Sequence, residues 1–354
     1  MTSKLTQIRK SIDKIDIEIA KLIGKRAGLA LDVAKTKKTQ NLDIYAPSRE
    51  KEVLKNVVCA CKGQLSEETI KNIYTEIISA CRNLENPIKI AFLGPLSTFS
   101  HQAAIKNFGS TNFFVPVDTP QETIEEVECL RADFAVVPIE NSNEGSVNAT
   151  LDKLVESDLK ICSEISLKII QCFLVKPENS KILKIYSHPH AIAQCKKWIA
   201  KNYPDAELIP VSSTSQAAKK VSMESCSAAI ASEAAAKIYK LKILQKGIQD
   251  SRENWTRFFV VGKISTNPSG NDKTSLVFTV KNKIGALYEI LGIFNKNKVD
   301  LTKIESRPTK KKAWEYMFFV DFNGHIKDKN IAKTLESLGK FCVFVKSLGS
   351  YSKG

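Results

Sequence analysis

Arginine is scarce in this sequence. Of its 53 basic residues only eight are arginine: Arg9, Arg26, Arg49, Arg82, Arg131, Arg252, Arg257 and Arg307. Lysine therefore supplies most of the +15 formal net charge. Basic residues outnumber acidic ones by 16 to 11 over residues 1–86, 21 to 19 over 87–263 and 16 to 8 over 264–354, so the excess is spread along the chain. No Arg-rich stripe with interleaved aromatics appears, and Lys310-Lys311-Lys312 reads as a solvated turn. Nucleic acid is thus excluded as the expected partner, which leaves anionic small molecules. Long apolar runs are also missing: none reaches the ~18 residues that span a bilayer. The start, Met1-Thr2-Ser3-Lys4-Leu5-Thr6-Gln7, lacks the apolar stretch of a signal peptide. A soluble, cytoplasmic protein with no membrane partner is expected. The nine cysteines include no Cys-x-x-Cys pair, and Cys59 and Cys61 lie too close to make one. Reduced, mostly core thiols follow, with no metal and no cofactor.

Three segments with different hydrophobic periods fill the 354 residues. Over 1–86, Leu5, Ile8, Ile12, Ile15, Ile19 and Leu22 form an a/d seam on one long helix over 5–38. Gly24 and Gly28 each cost that helix about 1 kcal/mol against Ala. A second helix follows Pro47. A third starts at Ser66, an N-cap ahead of Glu67 and Glu68, and runs to about Leu84. Three unequal helices make a thin core, so a partner chain is expected. Over 88–263, strands alternate with helices. Strands are read at 88–93, 113–117, 134–138, 172–175, 207–211 and 258–261, and helices at 121–130, 191–201 and 216–221. That pattern predicts a two-lobed α/β domain with a mostly parallel sheet and a cleft. Over 274–354 the order is strand, helix, strand, strand, helix, strand, with the third strand at 314–321: the ferredoxin-like βαββαβ arrangement.

Arg9 and Arg26 lie 17 residues apart, about 25 Å along a straight helix. They reach one small molecule together only if a partner helix crosses, so a site using both is shared across a dimer. The segment resembles the all-helical chorismate mutases through Ile8-Arg9, Ile15-Asp16, Lys25-Arg26, Lys37, Ser48-Arg49-Glu50 and Glu85. The resemblance implies an intertwined dimer that rearranges chorismate to prephenate. Arg9 of the partner subunit, Arg26 and Arg49 would contact the substrate carboxylates, Lys37 the ether oxygen, and Glu50 the hydroxyl. Glu85 would have to be protonated to donate to that oxygen. Ala46 and Cys81 occupy binding positions where the family carries an acidic and a small polar residue. A pericyclic step needs a compact conformer and well-placed cations, not a nucleophile.

Polar motifs sit at the ends of strands in the middle segment: Gly94-Pro95-Leu96-Ser97-Thr98-Phe99-Ser100-His101, Pro138-Ile139-Glu140-Asn141-Ser142, Ser187-His188-Pro189-His190, Gln194 and Ser213-Thr214-Ser215. Such groups converge on the crevice of an open α/β sheet. With Asn254-Trp255-Thr256-Arg257-Phe258 they resemble prephenate dehydratase. That family implies a periplasmic-binding-protein-like fold and the loss of water and carbon dioxide from prephenate to give phenylpyruvate. Thr256 is implied to contact the leaving hydroxyl. Its hydroxyl is a weak acid, so Glu140 is the candidate proton source. Thr98, Ser100, Asn141, Ser142, Ser187, His188, Gln194, Arg257 and Phe258 would bind prephenate, with Arg257 pairing either with a carboxylate or with Asp250. Ser97 stands where the family has Gly, so a positive φ there would be strained.

Gly285-Ala286-Leu287-Tyr288 and Glu305-Ser306-Arg307-Pro308 resemble the phenylalanine-binding motifs of the regulatory ACT domain. Amide groups at the helix start would hold the amino-acid carboxylate, and Glu305 its amino group. The whole chain therefore resembles the bifunctional chorismate mutase/prephenate dehydratases, feedback-inhibited by L-phenylalanine, as a homodimer or a dimer of dimers. Two alternatives stay open: a dehydratase whose helices only dimerise or regulate, and a non-catalytic amino-acid sensor.

Overall fold

The computed structural model describes the chain except for residues 1, 41–44, 179–180, 282, 310–315 and 354. Trp314 and Lys310-Lys311-Lys312 therefore lie outside the described residues. The chain divides into two compact units, Met1–Ile88 with Phe108–Phe113, and Lys89–Asn107 with Phe114–Gly354.

The first unit holds α1 (Thr2–Thr39), α2 (Pro47–Ala60) and α3 (Glu67–Glu85). Pro47 sits in the first turn of α2, where its missing N–H breaks no helical bond. Ser66 caps α3 by accepting from the Thr69 N–H at 3.2 Å. The expected seam runs along α1, but none of the described residues of the unit fills it. Leu5, Ile8, Ile12, Ile15, Ile19 and Leu22 are each 48–65% exposed. The buried part of this unit lies elsewhere, around Tyr45, Ile70, Ile78, Cys81 and Phe108.

The second unit begins with β1 (Lys89–Leu93), α4 (Phe99–Phe108), β2 (Phe113–Val117), α5 (Pro120–Glu128), β3 (Phe134–Asn141), β4 (Gly145–Ser146), α6 (Asn148–Glu156) and β5 (Lys160–Lys168). A second lobe follows: β6 (Cys172–Val175), β7 (Lys184–Ser187), α7 (Pro189–Gln194), α8 (Lys196–Asn202), β8 (Glu207–Pro210), α9 (Thr214–Met223), β9 (Ser227–Ala231), α10 (Glu233–Ile238) and β10 (Lys242–Lys246). The chain then returns to the first lobe as β11 (Trp255–Gly262). The sheet orders are β2-β1-β3-β11-β5 and β10-β6-β9-β7-β8. The crossings between lobes are tied together: the Ile169 N–H donates to the Asn254 carbonyl at 2.8 Å, and the Gly247 N–H to the Gln171 carbonyl at 2.9 Å.

A mostly parallel sheet is not what forms. Pairs β1–β3, β7–β8 and β7–β9 are parallel, but β3–β11, β5–β11, β6–β9 and β6–β10 are antiparallel. The reason is the return path. β11 re-enters the first lobe from the second rather than through a helical crossover, so it inserts between β3 and β5 running the other way. Strands β4, β5, β9 and β10 escape the sequence reading, β7 is anticipated only by the strand end at Ser187, and the expected 191–201 helix breaks at Cys195 into α7 and α8. The cysteines also depart from expectation. Cys81, Cys162, Cys172 and Cys195 are buried, but Cys59, Cys61, Cys129 and Cys226 are exposed. Among the described residues no helix is long and apolar enough to cross a membrane.

The last six elements are β12 (Asp272–Val280), α11 (Ala286–Lys296), β13 (Leu301–Pro308), β14 (Tyr316–Asn323), α12 (Lys329–Phe341) and β15 (Cys342–Ser352), with sheet order β13-β14-β12-β15. Alternate side chains point to opposite faces. Leu276, Phe278, Val320 and Phe322 pack on Ile290, Phe294, Ile331 and Leu338 of the two helices. Val277, Phe319, Leu348 and Tyr351 pack instead on Ile139, Leu151, Phe259 and Val261 of the first lobe. This sheet is therefore buried on both faces, and one apolar core runs from it into the lobe.

Gly349 makes that contact possible. At φ +148° its Cα lies so close to β5 that an added Cβ would meet the Ile161 carbonyl oxygen and, at 2.7 Å, its nitrogen. Gly349→Ala is expected to cost about 1–3 kcal/mol, because backbone cannot yield as a side chain can. Gly339→Ala, in open space within α12, is expected to gain about 0.5–1 kcal/mol. Thermal unfolding of both variants checks the contrast.

Candidate active sites

In the helical unit, Glu50 is the electrostatic centre. Burial pushes its carboxyl above the ordinary range, and Arg82, Lys37 and Arg26 pull the other way. Arg82 Nη1 donates to Glu50 Oε1 at 2.5 Å, and its Nη2 to the Phe108 carbonyl at 2.8 Å. The guanidinium is 5.3 Å from the Tyr45 ring centre and 5.7 Å from that of Phe108. Among the expected residues, Arg26 and Lys37 thus share a field with Glu50. Arg49 faces outward and pairs with Glu52 at 2.7 Å, and Arg9 is exposed on α1. Ala46 is the residue before α2, Cys81 is buried, and the Glu85 side chain lies outside what is described. Arg82 escaped the motif reading. Its signal was the rarity of arginine itself, since a fork of five donors suits a buried carboxylate better than lysine does.

Between the two lobes of the second unit, a chain of side-chain amides starts at Thr256. Asn141 Nδ2 donates to Thr256 Oγ1 at 2.8 Å and to Asn254 Oδ1 at 2.9 Å. Asn254 Nδ2 donates to Gln194 Oε1 at 2.9 Å, and Gln194 Nε2 to Glu144 Oε1 at 2.7 Å. His190 Nδ1 pairs with the other Glu144 oxygen. The direction of the chain is fixed at both ends. Glu144 Oε1 accepts from Gln194 Nε2, and Asn141 Oδ1 already accepts from the Asn143 N–H at 2.9 Å. Thr256 Oγ1 therefore receives a hydrogen bond and keeps its own O–H to donate. Asn254 is fully buried at the middle of the chain. Glu144, His190 and Asn254 fall in or beside the sequence motifs but were given no role of their own, because those roles arise only when the lobes meet.

The remaining expected residues surround this chain or support it. Ser142 staples β3 to β11: its Oγ accepts from the Trp255 N–H at 3.0 Å and donates to the Glu253 carbonyl at 3.1 Å. Ser187 donates to the Ile230 carbonyl at 2.6 Å. His188 caps α7, and burial with His190 nearby holds it below the ordinary histidine range. Thr98 Oγ1 donates to the Leu93 carbonyl at 2.9 Å and accepts from the His101 N–H, while Ser100 is buried in the first turn of α4. Phe258 is core. Ser97 has φ +69°, the left-handed region. Its hydroxyl meets Ser215 Oγ of the second lobe at 2.6 Å, a bond that offsets the strain and that glycine could not make.

Two expected residues turn away from this chain of amides. Glu140 does not face Thr256, and Arg257 pairs neither with Asp250 nor into the cleft. Thr256 lies opposite Asn141 and Arg257 opposite Glu140, but Phe258 lies opposite Pro138. Ile139 is therefore a bulge, and one extra residue reverses which face the following side chains take. Asn141 and Thr256 turn to the cleft. Glu140 and Arg257 turn to the C-terminal sheet, where Lys303 Nζ donates to Glu140. Arg257 Nη1 pairs with Asp321 at 2.6 Å, its Nε with Glu164 at 2.9 Å, and its Nη2 donates to the Tyr351 hydroxyl at 3.0 Å. Burial works against the guanidinium charge, but Tyr351, Asp321 and Glu164 together hold it charged.

In the C-terminal sheet, Gly285 begins α11 at φ +81° with no side-chain cap and with no atom near a notional Cβ. The Ala286 N–H donates to the Lys283 carbonyl at 3.2 Å, with Ala286 buried and Leu287 packed on the domain core. The other motif splits by face. Ile304, Ser306 and Pro308 are exposed, while Lys303, Glu305 and Arg307 face the dehydratase lobe. Glu305, expected to meet an amino group, instead takes a hydrogen bond from Ser146 and pairs with Lys303 at 3.2 Å. Arg307 donates to the Asn148 carbonyl at 2.8 Å and pairs with Asp152 at 2.7 Å.

Three family profiles match in order: chorismate mutase type II over residues 8–86, prephenate dehydratase over 90–266 and the ACT domain over 274–340. A bifunctional chorismate mutase/prephenate dehydratase of Aquifex aeolicus is 45% identical over 355 residues, covering 99% of this chain and 98% of that one. The crystal structure of a prephenate dehydratase from Arthrobacter aurescens, in complex with L-Phe, is 34% identical with a TM-score of 0.70, covering 75% of this chain and 90% of that chain. A structure described as GqqA, a quorum quenching acylase, is 28% identical with a TM-score of 0.69, covering 75% of this chain and 98% of its own. Sharing nearly half its residues with a relative over almost the full length of both, and carrying all three profiles in sequence, the chain belongs to the bifunctional chorismate mutase/prephenate dehydratase family.

Proposed function

We propose that this chain converts chorismate to prephenate in its helical unit and prephenate to phenylpyruvate in the cleft of its α/β unit, under inhibition by L-phenylalanine. The carrying observation is the directed amide chain from Thr256 to Glu144. It leaves one hydroxyl hydrogen aimed where a leaving hydroxyl needs a donor, and Asn141, Asn254 and Gln194 hold it there. Departure of water and carbon dioxide aromatises the ring, so the protein mainly has to place that donor and hold the anionic substrate. Glu140, salt-bridged on the far face, is not the proton source in this reading.

For the mutase, Arg26, Lys37 and Glu50 are the substrate-facing set, with Arg49 and, from the partner subunit, Arg9. Arg82 fixes Glu50. The exposed seam on α1 supports a second copy as the cover, giving the intertwined dimer, since a stripe this long and apolar is a coiled-coil surface. The C-terminal domain is read as ferredoxin-like, with the start of α11 as the effector's carboxylate site.

Purified protein supplied with chorismate is expected to release phenylpyruvate; release from prephenate alone would reduce the reading to a dehydratase. Thr256→Ala should lower the dehydratase kcat by about 100-fold or more with mutase intact, and Thr256→Ser should retain much of it. Asn141→Asp should be nearly as damaging although it is almost isosteric. An acceptor-only carboxylate would capture the Thr256 proton, for a loss of about 100-fold. Arg9→Ala and Arg26→Ala should each abolish mutase activity. Unfolding and reassembling the two together should restore about a quarter of it, because half the dimers are mixed and each mixed dimer has one intact site.

A further inference from the structure

We propose that Lys303 and Asp321 are positioning residues for dehydration, and that they carry the state of the C-terminal domain into the cleft. This rests on the reading of Thr256 and Asn141 given above. Those two side chains sit at paired positions on β11 and β3. Their immediate neighbours, Arg257 and Glu140, also face each other, on the opposite side of the same sheet. Each neighbour is gripped by a different strand of the C-terminal domain: Glu140 by Lys303 of β13, and Arg257 by Asp321 of β14. Each strand bearing a cleft residue is thus held from behind, one residue away.

The grip is built of charges that cannot easily relax apart. Arg257, Lys303 and Lys273 meet Glu140, Glu164, Asp321 and Glu305. Asp321 also accepts from Ser275 at 2.6 Å, and Ser275 lies 2.7 Å from the Tyr351 hydroxyl. Arg257 Nη1 stands 3.6 Å from Glu140, which links the two grips. Separating the domain would strand the largely buried charges of Arg257, Glu164 and Asp321, which couples the movements of the two bodies. The effector's expected strand is the same β13. Its inward row Lys303, Glu305 and Arg307 contacts the loop and helix that follow Asn141, through Ser146, Asn148 and Asp152. A ligand-driven shift of β13 would pull on Glu140 and displace Asn141, and a misplacement of about 1 Å in a catalytic group can cost about 100-fold.

The test uses full-length protein and two readouts, prephenate dehydration and L-phenylalanine binding by calorimetry. Lys303→Met keeps the chain length and removes the charge. It is expected to lower kcat about tenfold with KM moved less than about twofold, and to leave the mutase unchanged. L-phenylalanine should still bind, yet inhibit the variant less than about twofold. Lys303→Arg should restore both rate and inhibition, and Asp321→Asn should reproduce the loss from the β11 side. Because Lys303 is argued to act through Glu140, Glu140→Gln combined with Lys303→Met should be no slower than the slower single variant. Unchanged kcat and inhibition in Lys303→Met, or losses that multiply in the double variant, would overturn the proposal. A wild-type protein that does not dehydrate prephenate, or a fully active Thr256→Ala, would instead sink the parent reading.

Discussion

The pairing of β3 with β11 is the constraint on which the α/β unit depends. Among the described residues β11 is the one strand of the first lobe supplied after the second lobe is complete, so its insertion closes the first lobe's sheet. Its bulge against Ile139 decides which side chains face substrate and which face the regulatory sheet. Four of the five residues from Asn254 to Phe258 consequently do separate jobs. Asn254 bridges the lobes, Thr256 faces the cleft, Arg257 anchors the C-terminal domain and Phe258 fills the core.

That arrangement explains why a buried arginine with three acidic neighbours is tolerated. Arg257 loses hydration in the interior, but Glu164, Asp321 and the Tyr351 hydroxyl replace it, and its guanidinium stacks 4.8 Å from the Phe259 ring centre. Removing one partner would leave uncompensated charge beside an apolar core, which is costly. The same economy operates in the helical unit, where Arg82 offsets the burial of Glu50 and lies against two aromatic rings. In both units a scarce arginine is used where two or more acceptors must be met at fixed angles.

The cleft illustrates how weak groups acquire direction. None of the three amides is a strong acid or base. Because a carboxylate fixes one end and a backbone amide the other, each amide has a single favourable orientation. Thr256 inherits its orientation from that sequence of choices. A change far from the reacting atoms, such as altering Glu144, acts through the same route.

Local signals were sufficient for much of this protein. The seam of α1, Pro47 at the start of α2, the Ser66 cap and the βαββαβ order follow from period and capping chemistry, which need only near neighbours. The motif residues Thr256, Asn141 and Gln194 were legible as a set through the resemblance of their motifs to prephenate dehydratase, since in the fold they stand at the start of β11, the end of β3 and the end of α7. What the sequence could not hold was the face assignment of Glu140 and Asn141. Alternation predicts a face only until a bulge intervenes, and a bulge is set by the partner strand, more than a hundred residues away. The mixed strand directions have the same origin, since β11 returns from the other lobe. Lys303, Asp321, Glu144 and Arg82 look like ordinary surface charges in the chain; only tertiary packing, by bringing charged or hydrogen-bonding partners within about 3 Å, gave them work to do.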